Sequence, residues 1–170
     1  MCDESAISKT TWWKEGRLHR DNDLPAIVRN NGTKLWYQMG KLHRDGDKPA
    51  IETYNGTRKW YTNGLRHRDG DRPAVELADG TKFWYRMGKL HRDGDRPAVE
   101  LADGTKRWYW RSMLHRFDDE LPAVRHADGS ERWYRFGRLH RSQQGDIVIA
   151  RRGNRYERFG QGPDHKVKIP

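Results

Sequence analysis

Histidine followed by arginine recurs through this 170-residue chain, and both side chains are common in catalytic and metal-binding sites. The histidines of these pairs are His19, His43, His67, His91, His115 and His140. Imidazoles can bind zinc or transfer protons, and the acidic loops that follow them, such as RDGD at 44–47, could offer oxygen ligands to calcium. Whether such chemistry is possible depends on which of these side chains the fold brings together.

The pairs belong to a repeat of 24 residues, with one step of 25. An aromatic pair begins at Trp12, Trp36, Trp60, Trp84, Trp108 and Trp133. The segment GDRPAVELADGTK occurs at both 70–82 and 94–106. A fixed period of this length is typical of architectures in which each repeat packs on its neighbours. We expect 1–11 to be an N-terminal leader, 12–141 to hold the tandem repeats, and 142–170 to be a degenerate capping repeat with a basic tail.

Each repeat carries the signature of a β-hairpin. Asp79-Gly80 lies between two β-prone runs, and Asn-Gly or Asp-Gly stands at this place in other repeats. The dipeptide favours a two-residue type I′ turn, which would place Val75 opposite Trp84 and Glu76 opposite Phe83. The same register pairs Ile27 with Trp36, Ile51 with Trp60, Val99 with Trp108 and Val124 with Trp133. The predicted fold is all-β, with tandem hairpins stacked into an extended twisted antiparallel sheet or an open solenoid.

The first tryptophan of each pair is predicted to form the core. Hydrophobic residues are only 34% of the chain, so a few large aromatic rings must supply most of the buried area. A β-branched residue near each indole favours burial over a role in stacking bases. The predicted structural core is Trp36, Trp60, Trp84, Trp108 and Trp133.

The repeat argues against a metal centre and against catalysis. If each repeat adds two strands, equivalent histidines stand about 10 Å apart, which is too far to share one zinc ion. Every repeat also supplies the same side chains. We predict that the protein is not an enzyme, that it has no catalytic or metal-binding residues, and that it needs no cofactor. The aspartates of the loops should cap turns and pair with the adjacent arginine. The histidines are interpreted as structural residues that are hydrogen-bonded within their own loops: His43, His67, His91, His115 and His140.

The net charge of +10 favours anionic partners such as nucleic acid, acidic protein surfaces or anionic lipid. Basic residues recur at fixed repeat positions and could form a stripe that binds a partner, or only a solvated face. Glutamates at Glu52, Glu76 and Glu100 weaken the case for nucleic acid, because they repel phosphate. The candidate stripe comprises Lys34, Arg58, Lys82, Lys106, Lys41, Lys89 and Arg138.

The run YRMGKLH at 85–91 resembles the MORN repeat, in which an aromatic residue, a glycine and a histidine follow at intervals of three, with a closing Asp-Gly. This chain has arginine where MORN repeats have glycine after the histidine. The pattern WYxxGxLHRxDxPA is more similar to repeats in uncharacterised proteins of giant DNA viruses and phages. The resemblance covers roughly 12–160. It implies a scaffold or interaction module, and some MORN proteins are linked to anionic lipids.

These observations predict a non-enzymatic repeat scaffold that binds another protein through an extended repeat face, as a viral or phage accessory factor. The alternative is a basic protein that binds nucleic acid or an anionic surface. The only cysteine is Cys2, so no intrachain disulfide can form, and a reducing intracellular location is expected. For a viral protein this means the host cytoplasm, or association with the virion. No apolar run approaches the ~20 residues of a transmembrane helix.

Overall fold

The computed structural model describes residues 9–142, 148–152, 155–159 and 166–167. Within these ranges the chain forms short antiparallel strands joined by turns and contains no helix, which confirms the predicted all-β class of tandem hairpins. The chain divides into two compact units, Met1–Lys89 and Leu90–Pro170. Most of the predicted leader and of the predicted cap and tail, 1–8 and much of 142–170, lies outside the described residues.

Twenty-five strands follow one another along the described residues. Those up to residue 90 are β1 (Lys9–Thr11), β2 (Trp13–Lys14), β3 (Arg17–Leu18), β4 (Ile27–Arg29), β5 (Lys34–Leu35), β6 (Tyr37–Gln38), β7 (Lys41–Leu42), β8 (Ile51–Glu52), β9 (Arg58–Lys59), β10 (Tyr61–Thr62), β11 (Leu65–Arg66), β12 (Val75–Glu76), β13 (Lys82–Phe83), β14 (Tyr85–Arg86) and β15 (Lys89–Leu90). The remaining strands are β16 (Val99–Glu100), β17 (Lys106–Arg107), β18 (Tyr109–Trp110), β19 (Met113–Leu114), β20 (Val124–Arg125), β21 (Glu131–Arg135), β22 (Arg138–Ser142), β23 (Val148–Arg152), β24 (Arg155–Phe159) and β25 (Lys166–Val167).

Each repeat contributes two hairpins. The first hairpins build the main sheet, whose strands run in the order β1-β4-β5-β8-β9-β12-β13 in the first unit and β16-β17-β20-β21-β22 in the second. The second hairpins are separate two-stranded pairs, β2-β3, β6-β7 and β10-β11 in the first unit and β18-β19 in the second. Strands β23, β24 and β25 form a small antiparallel sheet of their own. The sequence predicts a connecting segment between successive hairpins. In the structure this segment forms a second hairpin.

The turn of the first hairpin differs from the predicted type I′ turn. Gly80 has φ +90°, whereas Ala78 and Asp79 have no positive φ, which excludes a type I′ turn at this place. Gly80 N–H donates to Leu77 O (3.0 Å), and Leu77 N–H donates to Thr81 O (2.9 Å). This pattern is a three-residue loop with a type I turn followed by a left-handed glycine. The carboxylate of Asp79 accepts the Thr81 N–H (2.8 Å), which stabilises this turn.

The extra loop residue moves the register by one position, so the predicted cross-strand pairs are wrong. Val75 lies opposite Phe83, and Glu76 lies opposite Lys82. Because side chains alternate between the two faces of a strand, this shift changes which residues share a face. The other predicted pairs shift in the same way: Ile27 lies opposite Leu35, Ile51 opposite Lys59, Val99 opposite Arg107 and Val124 opposite Arg132.

The type I′ geometry occurs instead in the second hairpins. Met39 (φ 46°) and Gly40 (φ 82°) both have positive φ between Gln38 and Lys41, which lie opposite each other. Gly40 N–H also donates to Leu18 O of the preceding second hairpin (2.8 Å). Gly64 and Gly88 repeat this bond with Leu42 O and Arg66 O, each at 2.8 Å. The second hairpins of the first unit are thus joined in a row.

Five tryptophans are buried, with 5 to 8% of each residue exposed: Trp36, Trp60, Trp84, Trp108 and Trp133. Each indole N–H donates to a carbonyl 13 residues earlier, as Trp60 Nε1 does to Asp47 O (3.0 Å). A fully buried alanine precedes the main-sheet strand of each repeat: Ala26, Ala50, Ala74, Ala98 and Ala123. The indole thus fills the core and also fixes the preceding loop, because its polar edge needs a partner once it is buried.

Candidate functional site

The histidine of each regular loop contacts the aspartate two residues later, and in two of the loops it also joins the next repeat. His43 Nε2 lies 2.9 Å from Asp45 Oδ1, and His43 Nδ1 accepts the backbone N–H of Asn63 (3.1 Å). Because Nδ1 accepts a hydrogen bond, the proton of the neutral ring is on Nε2, where it donates to Asp45. His19 is held in the same way between Asp21 (2.8 Å) and the N–H of Met39 (3.1 Å). Both ring nitrogens of His19 and His43 are therefore engaged. His67 and His91 hydrogen-bond only to the aspartate, at 3.2 and 2.9 Å, and their Nδ1 atoms have no hydrogen-bond partner within the described chain.

The arginine after the histidine clamps two repeats together. Arg68 donates from Nε (2.8 Å) and Nη2 (3.1 Å) to the two carboxylate oxygens of Asp47. Its Nη1 donates to Pro73 O (3.2 Å) and Glu76 Oε1 (3.1 Å), and the guanidinium lies 3.8 Å from the centre of the Trp60 ring. For Asp47 the expected pairing with the adjacent arginine is wrong, because its partner Arg68 stands 21 residues later in the chain.

Equivalent clamps occur in other repeats. Arg44 binds both carboxylate oxygens of Asp23, which also contacts Lys48. Hydrogen bonds from Arg44 and then from Lys48 lower the pKa of Asp23 to about 2. In the second unit Arg116 makes the same two bonds to Asp95, at 2.8 and 2.7 Å. The carboxylates of these loops are thus ion-paired structural groups.

One repeat of the second unit departs from this pattern. Phe117 stands where regular loops have aspartate, so His115 lacks the usual carboxylate partner. The His115 ring stacks on Phe136 (4.1 Å between centroids) and meets the edge of Phe117 (4.6 Å). It is 5% exposed, neither of its ring nitrogens makes a hydrogen bond of standard geometry within the described chain, and burial lowers its pKa. His140, the last predicted loop histidine, is exposed.

Clefts lie between consecutive loops in both units, and their linings differ. In the first unit a cleft of about 310 Å³ is lined by polar groups that include His19, His43, Asp45 and Lys48. In the second unit the corresponding cleft measures about 90 Å³, and its lining includes Trp110 and Phe117. Trp110 also meets the edges of the His91 and Phe117 rings.

The candidate basic stripe divides into two rows on different hairpins. Lys34, Arg58, Lys82 and Lys106 are exposed on the main sheet. Arg58 lies directly opposite Glu52 on one side and Glu76 on the other. Lys34 also lies opposite Glu52, and Lys82 opposite Glu76. Since opposite residues share a face, basic and acidic side chains alternate here. In the first unit we call this set the sheet row: Lys34, Glu52, Arg58, Glu76 and Lys82.

Lys41 and Lys89 belong instead to the second hairpins, whereas Arg138 begins β22, a strand of the main sheet in the second unit. Segments 37–42, 61–66 and 85–89 contain no aspartate or glutamate, so the bases there have no acidic neighbour in their own hairpin. Large apolar side chains are exposed beside them: Met39 is 37% exposed, Leu65 45% and Met87 52%. We call this set the turn row of the first unit: Met39, Lys41, Leu65, Met87 and Lys89. Arg138 has similar neighbours in the second unit, the exposed Phe136 and Leu139.

The apolar members of the turn row were missed in the sequence, although a signal was present. Methionine or phenylalanine stands immediately before the turn glycine at 39, 87 and 136. A residue at the tip of a two-residue turn faces solvent, so a large apolar side chain there needs an explanation. The Asp-Gly pattern predicts the type I′ turn in the other hairpin, so the sequence alone presents these tips only as connections.

Among the described residues, no group of three or more histidine, cysteine, aspartate or glutamate side chains is placed to hold a metal ion. None of those residues forms a helix with the length and apolarity needed to cross a bilayer. Comparisons with family models, with curated proteins and with solved structures found no match to the chain. The resemblance to MORN repeats therefore remains a prediction from the sequence.

Proposed function

We propose that the chain is a non-enzymatic repeat scaffold that binds another protein through an extended repeat face. The observation that carries this proposal is the engagement of the His-Arg-Asp side chains in contacts between repeats. His43 uses both ring nitrogens, and Arg68 contacts four different residues around it. The side chains that looked reactive in the sequence hold the array together, and the exposed rows repeat one surface at a regular interval.

The sheet row supports a protein partner over nucleic acid. A nucleic-acid backbone carries negative charge at every phosphate and is bound best by a basic track that glutamates do not interrupt. Arg58 is flanked by Glu52 and Glu76, so the sheet row offers alternating charge. Protein surfaces can match such a pattern with charges of both signs. The resemblance of the repeats supports placing this scaffold among viral or phage accessory factors.

One observation favours the alternative, a binder of nucleic acid or another anionic surface. The turn row is basic and has no acidic residue in its own segments. Charge alone attracts any polyanion, so this row could contact phosphates without reading a sequence. The two functions predict different responses to competing DNA.

The test is capture of partners from cell lysate by the full chain, with and without nuclease and with excess mixed-sequence DNA. A protein scaffold should retain the same proteins, identified by mass spectrometry, under all three conditions, and purified candidates should bind it directly. Loss of every captured protein on nuclease treatment or DNA addition would favour the alternative. Exchange of Glu52 and Glu76 for glutamine serves as a control, because it should strengthen DNA binding if the acids oppose it.

A further inference from the structure

We infer that the turn row is the docking surface for an acidic segment of a partner protein, bound as a helix that presents apolar side chains to the row. This inference rests on the proposed function and adds to it the face that binds and the chemistry of its partner. It is carried by the charge of the row, by its exposed apolar side chains and by the spacing of the hairpins.

The charge of the turn row has one sign. Its two basic residues, Lys41 and Lys89, are exposed, and the segments 37–42 and 85–89 that hold them contain no acidic residue. Acidic side chains are therefore the complementary partners along this row.

A carboxylate beside the row is already bound to other groups. Asp45 accepts hydrogen bonds from His43 (2.9 Å) and from Gln38 (2.8 Å) of the second hairpin at 37–42. Its pKa is lowered mainly by the bond from His43. This acid is committed to its own loop, whereas Lys41 points to solvent.

The apolar side chains form shallow contact sites. About half of Leu65 and Met87 is exposed, and the rest is packed on the protein. Leu65 lies against Gly88, where a Cβ atom would stand only 3.4 Å from Leu65 Cδ2. Side chains packed in this way cannot extend deeply into a bilayer, and phosphates offer them no apolar partner. They fit apolar side chains of a polypeptide, to which methionine adapts readily.

The spacing of the hairpins favours a helix. Each repeat adds two strands to the main sheet, and backbone bonds from Gly40, Gly64 and Gly88 connect each second hairpin to the preceding one. Two strands span about 9.6 Å, and seven residues of an α-helix rise about 10.5 Å. One heptad thus advances almost in step with one repeat, and the mismatch over three repeats is about 2 to 3 Å. A helix with an apolar residue and an adjacent acid in each heptad would meet the row repeatedly.

The probe is a synthetic peptide of about three heptads, with leucine on one face and glutamate beside it, compared with a scrambled peptide of the same composition. Fluorescence anisotropy would measure binding to the full chain. We expect the scrambled peptide to bind at least about tenfold more weakly, because hot-spot contacts depend on register. Equal binding of the two peptides would overturn the helical spacing and with it the inference.

Two variants of the chain locate the surface. Lys41→Glu with Lys89→Glu changes the charge of the turn row, and Leu65→Gln with Met87→Gln removes its apolar contacts. Each should weaken peptide binding by at least about tenfold. Lys34→Glu with Lys82→Glu is the matched control, because it makes the same charge change on the sheet row and should alter binding less than about twofold. Circular dichroism of each variant verifies the fold.

Other outcomes separate this inference from the proposed function. If the Lys41→Glu, Lys89→Glu variant still captures the same lysate proteins as wild type, the scaffold function stands and the turn row is not its docking surface. If phosphatidylserine vesicles or single-stranded DNA bind through Lys41 and Lys89 while the peptide does not, the row serves an anionic surface and the inference fails. If wild type captures no protein that binds it directly, the proposed function fails as well.

Discussion

His43 and His115 stand at equivalent places in two repeats, and their rings are held by opposite means. The backbone is the same, since each donates its N–H to the carbonyl of its own repeat's tryptophan, at 3.2 Å from His43 and 3.1 Å from His115. The His43 ring is fixed by a hydrogen bond at each nitrogen, whereas the His115 ring lies between Phe117 and Phe136. The tryptophan and the turns therefore set the repeat geometry, and the loop contacts are exchangeable.

The largest loss of stability should follow removal of the buried tryptophan, which the repeats of both units have in common. Trp60→Ala and Trp108→Ala should each lower the free energy of unfolding by about 3–5 kcal/mol, as large core truncations do. Both indoles are buried and donate to loop carbonyls, at 3.0 and 3.1 Å. Chemical denaturation measures the change. A loss of unfolding free energy below about 1 kcal/mol in either variant would show that its indole is not a main source of the repeat's stability.

The second effect concerns the clamp of the regular repeats. Arg68→Ala should cost about 1–3 kcal/mol, because it removes two hydrogen bonds from the Asp47 carboxylate, which retains Arg72, and leaves the Pro73 carbonyl without this donor. Arg68→Lys should recover only part of this loss, since an ammonium cannot make the two-pronged contact. The exposed Arg58→Ala variant is the control and should change stability by under about 0.5 kcal/mol. Equal losses at Arg58 and Arg68 in urea denaturation would contradict the clamp.

Lowering the pH should destabilise the loop of His115 before the loop of Asp23. Burial holds the pKa of His115 below its ordinary value of 6.5, so as pH falls through 6.5 an unfolded chain gains a proton that the folded region resists, and stability is lost. The weaker influences of Asp119 and Arg135 on His115 oppose each other. Asp23, with its pKa lowered to about 2, contributes stability that is lost only as pH falls from 3.8 towards 2.

Hydrogen exchange of amides near each residue, followed from neutral to acidic pH, would measure this order. Protection around His115 should decrease first, and protection around Asp23 should persist until the lower window is reached. Simultaneous loss of protection in both regions near pH 6 would contradict the difference in how the two loops are held.

The smallest effect should come from converting one loop to the other. Phe117→Asp restores the residue that regular repeats place two positions after histidine, and it gives His115 Nε2 a carboxylate partner. The pKa of His115 should then rise, because a nearby negative charge and a hydrogen bond favour the imidazolium. NMR titration of the ring measures this shift, and Phe117→Asn, which brings no charge, is the control. A pKa unchanged in Phe117→Asp would mean that the loop cannot adopt the regular arrangement.

The sequence was sufficient for the hairpin repeat and for burial of residues such as Trp60, because strong local signals and a fixed period agree there. It was insufficient for register, since Asp79-Gly80 suits both a two-residue turn and a type I turn with a left-handed glycine. Only hydrogen bonds such as the one from Gly80 to Leu77 distinguish them. The one extra residue in the loop decides whether Glu76 lies opposite Phe83, as predicted, or opposite Lys82, as observed.

The contacts between repeats were harder to predict from the sequence. Asp47 has an arginine in its own loop region, and nothing local shows that it binds Arg68 of the following repeat instead. The division of the basic stripe into two rows could not be predicted from the sequence either. Lys34 and Lys41 are close in sequence but lie on different hairpins. Long-range pairing in a repeat protein depends on the step between repeats, which the sequence period does not specify.

The clamp has a direction, since each arginine reaches one repeat back, as from Arg44 to Asp23, from Arg68 to Asp47 and from Arg116 to Asp95. Such an array behaves as a one-dimensional chain with coupling between nearest neighbours only. Opening an interior repeat breaks two junctions, whereas opening a terminal one breaks a single junction, so unfolding should begin at the ends and advance stepwise. The same rule makes length adjustable, because duplicating a 24-residue segment adds one carboxylate and one guanidinium that complete a new junction without altering the others.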